Sequence, residues 1–184
     1  MTGEKSSLST ERIAERIFEI GFSCTRCGDC CRGFPDDNNL VMVSPPEIRR
    51  ISEALNVPRD EIAEPYPESI VLENGTSLTF EWAIRRVHGE CRFFRDGRCL
   101  VYECRPWICR TYPFMIDGEE LRVFPCSGLG GSISPEDALA CARDLLSRRE
   151  AEENEEERIR EVLASPLPEG KERMIVDSEG VTLL

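Results

Sequence analysis

Ten cysteines stand in a chain of 184 residues, and their spacing is the part of the sequence able to do chemistry. Cys24, Cys27, Cys30 and Cys31 spell CxxCxxCC. Three cysteines at successive three-residue steps let one loop fold around a compact centre with its backbone N–H groups facing the sulfurs. Iron–sulfur proteins use this spacing for three corners of a cubane. Cys30 and Cys31 are adjacent, so their side chains diverge in most backbone conformations. Cys31 is therefore expected to serve a second centre, or a different edge of a larger one. A scattered set follows: Cys91, Cys99, Cys109 and Cys126. Eight thiolates could fill two Cys₄ zinc sites, two [4Fe–4S] clusters or one larger cluster. Structural zinc usually draws its ligands as two separate CxxC knuckles. One dense run followed by dispersed cysteines leans toward iron–sulfur, with Zn²⁺ as the alternative.

The neighbours of the second set bear on the same chemistry. In Arg105-Pro106-Trp107-Ile108-Cys109-Arg110, Pro106 could begin a helical turn whose free N–H groups favour a thiolate. Arg105 and Arg110 could offset the charge of a thiolate-bound centre and hydrogen-bond its sulfurs; the plainer reading of either is a surface ion pair. Trp82, Trp107, Phe93, Phe94 and Phe114 cluster in sequence around these cysteines and read as a hydrophobic wall shielding the metal. His88 is the only histidine, so a mixed Cys/His site could form at most once, and the residue reads as structural or exposed. Gly128-Leu129-Gly130-Gly131 does not make GxGxxG and reads as a loop packed beside Cys126. No Walker motif, HExxH or GxSxG occurs.

The elements that must position these residues are short. Ser9 or Thr10 caps a helix carrying Ile13, Ile17 and Ile20, and Gly21 stops it. The cysteine-rich loop Cys24–Gly33 follows at once. Leu40–Val43 fits a buried strand. Ser44-Pro45-Pro46-Glu47 has a capping-box pattern opening a helix with Ile48, Ile51 and Leu55 inward, ending near Asn56. A helical turn is expected at Pro58–Ala63. Asn74-Gly75 predicts a type I′ hairpin between Ser69–Leu72 and Ser77–Phe80. Asp96-Gly97 predicts another between Cys91–Phe94 and Cys99–Tyr102. A regular turn there pairs Phe94 with Cys99 and Cys91 with Tyr102, which puts Cys91 and Cys99 on opposite faces. They could share a metal only through a bulge, or if Cys91 lies before the strand proper. Ser134-Pro135-Glu136-Asp137 opens a long helix through Leu139, Ala142, Leu145 and Leu146. It runs into the charged stretch Arg148–Glu161 and regains an apolar stripe at Ile159, Val162 and Leu163. Ser165–Gly170 is a linker and Met174–Leu184 a hairpin.

At the cysteines the sequence resembles the CxxCxxCC cysteine-cluster family, the YkgJ-like zinc- or iron-chelating domains. The resemblance covers Cys24 to Gly33 and Val43-Ser44-Pro45-Pro46-Glu47-Ile48. It resumes at Cys91-Arg92-Phe93-Phe94, Gly97-Arg98-Cys99, Tyr102, Arg105-Pro106, Cys109-Arg110, Pro113-Phe114 and Cys126-Ser127-Gly128-Leu129-Gly130, spanning roughly residues 20–145. It implies a metal-binding domain, in some members an iron–sulfur protein, and one enzymatic branch looks like flagellin lysine N-methylase. This chain carries no recognisable methyl-donor motif. The family pattern takes in eight of the ten cysteines. Cys104 and Cys141 fall outside it, Cys141 reading as a packing residue of the long helix and Cys104 as a spare ligand or an accidental neighbour.

Hydrophobic residues at 40% and charged residues at 32% read as one globular domain. The net charge of -12 argues against a nucleic-acid footprint, which needs a basic face. The apolar runs are too short for a bilayer span, and the N-terminus lacks the basic and apolar regions of a secretory signal. A cytoplasmic location is expected, where stable disulfides are disfavoured and repeated cysteines serve metals or catalysis. The expected fold is α+β, a small single domain with short hairpins, flanking helices and cysteine-rich loops. Residues 1–164 form the cysteine-cluster domain, and 165–184 a linker and hairpin packed on it. The functional expectation is an iron–sulfur protein with one or two [4Fe–4S] clusters on cysteine ligands. Its role is electron transfer or cluster handling with a protein partner, either a redox partner or a target. The acidic surface could steer a basic partner, with Glu150–Glu157 as a docking face. The alternatives are a zinc-stabilised interaction module and a protein-modifying enzyme.

Overall fold

The computed structural model describes residues 9–32, 40–168 and 173–184. Gly33 at the end of the cysteine loop, the last two residues of the expected linker, and the N-terminal residues 1–8 lie outside the described residues. In chain order the elements are α1 (Thr10–Ile20), β1 (Met42–Val43), α2 (Pro45–Leu55), α3 (Arg59–Ile62), β2 (Ala63–Pro65), β3 (Ile70–Val71), β4 (Ser77–Thr79), β5 (Trp82–Ile84), β6 (Arg86–Val87), β7 (Glu90–Cys91), β8 (Phe94–Arg95), β9 (Arg98–Cys99), α4 (Trp107–Thr111), β10 (Phe114–Asp117), β11 (Glu120–Val123), α5 (Pro135–Leu163), β12 (Arg173–Asp177) and β13 (Gly180–Leu183). The class is α+β, as expected. Among the described residues no helix is long and apolar enough to cross a membrane. The chain forms two compact units, one of Met1–Cys27 and Trp107–Glu150, the other of Gly28–Pro106 and Ala151–Leu184.

The first unit is built on helix faces. The Ser9 side chain accepts the Arg12 N–H at 3.3 Å and opens α1, which buries Ile13, Ala14 and Ile17. The hydroxyl of Ser134 accepts the Asp137 N–H at 3.0 Å and opens α5. Ala138, Ala142 and Leu145 then recur on one face and close over Ile13, Ile17 and Phe114. Cys141 is half-buried against this core, and burial pushes its thiol up to about 11. Arg148 is buried but satisfied, donating to Thr111 Oγ1 at 3.1 Å, and that hydroxyl donates to Trp107 O at 2.9 Å.

The second unit surrounds a core of Val43, Ile48, Ile51, Ile62, Trp82, Ile84, Phe93, Val101 and Ile175. Glu47 folds back on Ser44, whose N–H and hydroxyl each donate to its Oε2 at 2.9 Å, so α2 starts where its capping box predicts. Asn56 ends it in the left-handed conformation at φ 52°. Of the strand expected at Leu40–Val43, only Met42–Val43 pairs, antiparallel to β5. Its three- and four-stranded sheets are ordered β1-β5-β2 and β13-β12-β4-β3. The expected C-terminal hairpin is β12–β13, and β12 also pairs parallel with β4, Met174 opposite Leu78. Asp177, only 4% exposed, accepts from Trp82 Nε1 at 2.8 Å and from Arg59 Nη2 at 3.0 Å.

Two hairpins differ from their sequence reading. Around Asn74-Gly75, Gly75 alone of the pair takes a positive φ. Its N–H donates to Leu72 O at 2.9 Å, while Asn74 Oδ1 accepts the Thr76 N–H at 3.0 Å. This is a type I turn followed by a left-handed glycine, not type I′. Asp96-Gly97 is type I′, with φ 51° and 72°, and Phe94 faces Cys99 as predicted. Cys91 does not continue that hairpin to face Tyr102. It ends a separate one, opposite Arg86, closed by His88 and Gly89 at φ 53° and 83°.

Candidate metal centre

The CxxCxxCC run is divided between the two units after Cys27. In the first unit the Ser23 N–H donates to Gly128 O at 3.0 Å, and Phe22 bridges Leu129. Ser127 Oγ donates to Cys27 Sγ at 3.4 Å and lies 3.2 Å from Thr25 Oγ1. These bonds fix Cys24 and Cys27 against the segment carrying Cys126. The Gly128 N–H donates to Cys126 Sγ at 3.4 Å. Gly128 must lack a side chain, because a Cβ there would stand 2.4 Å from Ser23 O. The glycine-rich loop is thus explained by packing beside Cys126. Cys109 is half-buried in α4, two residues after Trp107 begins that helix. Arg110, its neighbour, is held by both Asp144 oxygens at 2.8 and 3.0 Å and lies over the Trp107 ring.

In the second unit Gly28 turns the chain at φ 80°, and a Cβ at that position would stand 2.2 Å from Phe94 Cζ. One 3₁₀ turn, Asp29–Cys31, follows. Because that turn advances by about a third of a revolution per residue, neighbouring side chains do not alternate as in a strand. The Cys30 and Cys31 sulfurs lie 4.0 Å apart, against the expected divergence. Arg32 bridges Glu90, which places the run beside the β6–β7 hairpin and Cys91. Once Cys91 leaves the β8–β9 ladder, the parity argument separating it from Cys99 no longer applies. Cys91 feels the charge of Cys99 and of Cys30, and Cys99 feels that of Cys30 and Cys104.

The sulfurs share a local device. The Phe93 backbone N–H favours the Cys91 thiolate and the Val101 N–H that of Cys99, at the two-residue offset by which the Gly128 N–H donates to Cys126 Sγ. Burial pushes the Cys91 and Cys99 thiols up, and these N–H groups oppose it by favouring the thiolate. Cys30 is pulled down to about 7, first by its contact with Cys31, with the Arg105 charge acting in the same direction. Arg105 donates to Tyr102 O at 2.8 Å and lies 3.6 Å over the Tyr102 ring, so its charge is held in place.

Cys24, Cys27 and Cys30 are exposed; Cys31, Cys91, Cys99, Cys104, Cys109 and Cys126 are half-buried. His88 sits exposed in its turn. Among the described residues no three His, Cys, Asp or Glu side chains already converge on one point. The fit to a metal is therefore in donor type and placement: soft thiols, several per unit, with backbone N–H groups aimed at sulfur. Binding requires the exposed thiols to swing together. The expected aromatic wall is met in part, because Cys91, Cys99 and Cys104 pack against the core that holds Trp82 and Phe93. Trp82 and Phe93 belong to the second unit's core, and Phe114 packs edge-on against Phe22 in the first. Phe94 lies against the run, over Gly28.

The sulfur-directed N–H groups are not readable from residue types. Gly128, two residues after Cys126, is the single letter that could have signalled one. The family model named CxxCxxCC, described as a "putative zinc- or iron-chelating domain", matches residues 23–127. No curated protein and no solved structure is matched by this chain.

Proposed function

Since the chain belongs to the CxxCxxCC family of zinc- or iron-chelating domains, we propose that its cysteines hold iron–sulfur clusters of the [4Fe–4S] type and that it passes electrons, or handles a cluster, for a protein partner. The observation supporting this reading most is the Gly128 N–H donated to Cys126 Sγ at 3.4 Å, with the Phe93 and Val101 backbone favouring the Cys91 and Cys99 thiolates from the same two-residue offset. Such bonds stabilise thiolates and tune the potential of a cluster bound to them. Cys24, Cys27, Cys30, Cys31, Cys91, Cys99, Cys109 and Cys126 would be the ligands. A bound cluster supplies one-electron oxidation and reduction.

The chain's own residues prepare for that role. Arg105 sets a fixed positive charge beside Cys30 and Cys99 and holds them toward the anion. Arg110, next to Cys109 in sequence, is engaged by Asp144 and by the Trp107 ring. Exposure of Cys24, Cys27 and Cys30 brings the sulfurs to the surface, where a partner could exchange electrons or accept a cluster. The net charge of -12 favours a basic docking surface on that partner.

A zinc-stabilised interaction module is the second reading. β6–β7 and β8–β9 are hairpins of two-residue strands. Hairpins that short do not stand alone in water, and a tetrahedral ion would pin them. Purification without oxygen, followed by iron, zinc and acid-labile sulfide per chain, separates the two. Brown protein with iron and sulfide in equal amounts supports the first; colourless protein with stoichiometric zinc and no sulfide supports the second and overturns the first.

A further inference from the structure

We infer that the ligands divide by unit into two independent four-thiolate centres, Cys24, Cys27, Cys109 and Cys126 in one and Cys30, Cys31, Cys91 and Cys99 in the other. This rests on the reading of these thiols as metal ligands, though not on which metal they hold. The simplest use of the spacing would give Cys24, Cys27 and Cys30 to three corners of one cluster. The structure groups them otherwise.

The run is severed at Gly28, where the chain passes through a left-handed conformation and the units divide. The first half is held to the Cys126 segment by Gly128 O on the Ser23 N–H, Leu129 bridged to Phe22, and the Ser127 hydroxyl on Cys27 Sγ. The second half is held to the cysteine hairpins by Phe94 over Gly28 and by Glu90 bridged to Arg32 beside Cys31. Backbone pairing, joined by the Ser127 hydroxyl and the Phe94 ring, thus assigns each half to its partners. A loop thiol converging on a metal would meet the sulfurs of the segment to which its own backbone is bonded.

The count agrees with the grouping. With Cys109 in the first unit, the motif cysteines fall four and four. Four thiolates complete a tetrahedral zinc site or a cubane cluster, so neither set needs a ligand from the other. Cys104 lies in the second unit beside Cys99 as a fifth thiol and remains outside the set, and Cys141 stays in the first unit's core.

The test uses the full chain, prepared without oxygen and loaded separately with zinc ion and with iron plus sulfide. Metal per chain is counted by native mass spectrometry for wild type and two double variants, Cys27→Ser/Cys126→Ser and Cys30→Ser/Cys91→Ser. Each variant should lose half of the wild-type load, a twofold drop, and the combined variant all of it. Loss of the whole load in either double variant would mean one shared centre, and an undiminished load would mean the altered thiols are not ligands. Either result overturns the division. Alkylation footprinting of half-loaded wild-type protein probes the same grouping without substitution. Chains carrying half the metal should protect Cys24, Cys27, Cys109 and Cys126 together, or Cys30, Cys31, Cys91 and Cys99 together. Joint protection of Cys24, Cys27 and Cys30 refutes it. Halving with zinc, in protein that takes no iron, would remove the iron–sulfur reading and leave the division standing. Wild-type protein that takes up neither metal overturns both.

Discussion

The turn at Gly28 makes a quantitative prediction about how the cysteine run is held. Gly28 sits at φ 80° and ψ 4°, and a Cβ there would lie 2.2 Å from Phe94 Cζ and 2.6 Å from Cε2. Gly28→Ala should therefore cost about 1–2 kcal/mol for a side chain in the left-handed region and a further ~1–3 kcal/mol for overfilling the contact. Phe94→Ala alone removes a half-buried ring, so about half of the ~3–5 kcal/mol of a fully buried Phe→Ala change is expected. In the double variant the ring that the new methyl would strike is gone. Only the backbone cost of the alanine persists, and the two changes should fall short of additivity by about 1–3 kcal/mol, the overfilling cost. The assay is urea unfolding of the metal-free chain by circular dichroism for wild type, both single variants and the double. Additivity within about 0.5 kcal/mol, the behaviour of sites that do not touch, would refute the packing of Phe94 on this turn.

Other expectations follow from the same contacts. Gly128→Ala should destabilise the chain by about 1–3 kcal/mol, and truncating a side chain should not rescue it, because the nearest atom to the new Cβ is the backbone oxygen Ser23 O; rescue by Phe22→Ala would contradict this. Asp177→Ala should cost about 3–5 kcal/mol in urea unfolding, since it strands the Arg59 guanidinium and the Trp82 N–H that converge on a buried carboxylate; a loss under about 1 kcal/mol would count against it. Alkylation of the metal-free protein should depend on pH thiol by thiol. A lowered pKa leaves Cys30 half ionised near 7 and reactive above it, whereas Cys141, raised to about 11, should stay unreacted until far more alkaline pH. Equal rates at neutral pH, read by peptide mass spectrometry, would contradict that order.

Much of the fold is legible where several local signals agree. Ser9, the Ile13 and Ile17 spacing and Gly21 all specify α1, and Ser44 with Glu47 specifies the start of α2. Asp96-Gly97 specifies a two-residue turn and with it the pairing of Phe94 with Cys99. The Cys91 hairpin escapes a reading of residue types because His88-Gly89 is not among the usual type I′ pairs, although both residues adopt positive φ there. The parallel pairing of β12 with β4 joins residues about a hundred apart in sequence and has no local signature. Asp177 looks like an ordinary turn residue; its burial depends on where Trp82 and Arg59 arrive. Sequence proximity puts Trp82 and Phe93 beside the second cysteine set, and the core they form with Ile175 is the one against which Cys91, Cys99 and Cys104 pack. At the site, residue types give the candidate donors and not their grouping. Spacing alone favours Cys24, Cys27 and Cys30 as one set, whereas the bonds to Gly128 and the bridge to Glu90 separate them.

The central claim is that the cysteines hold iron–sulfur clusters. Its most direct test is the content of iron, zinc and acid-labile sulfide in the full chain, purified without oxygen and never exposed to added metal. Two cubane clusters predict about eight iron and eight sulfide per chain, with broad visible absorption that bleaches on reduction. A colourless chain carrying one or two zinc ions and no sulfide would contradict the claim and make the protein a zinc-stapled module.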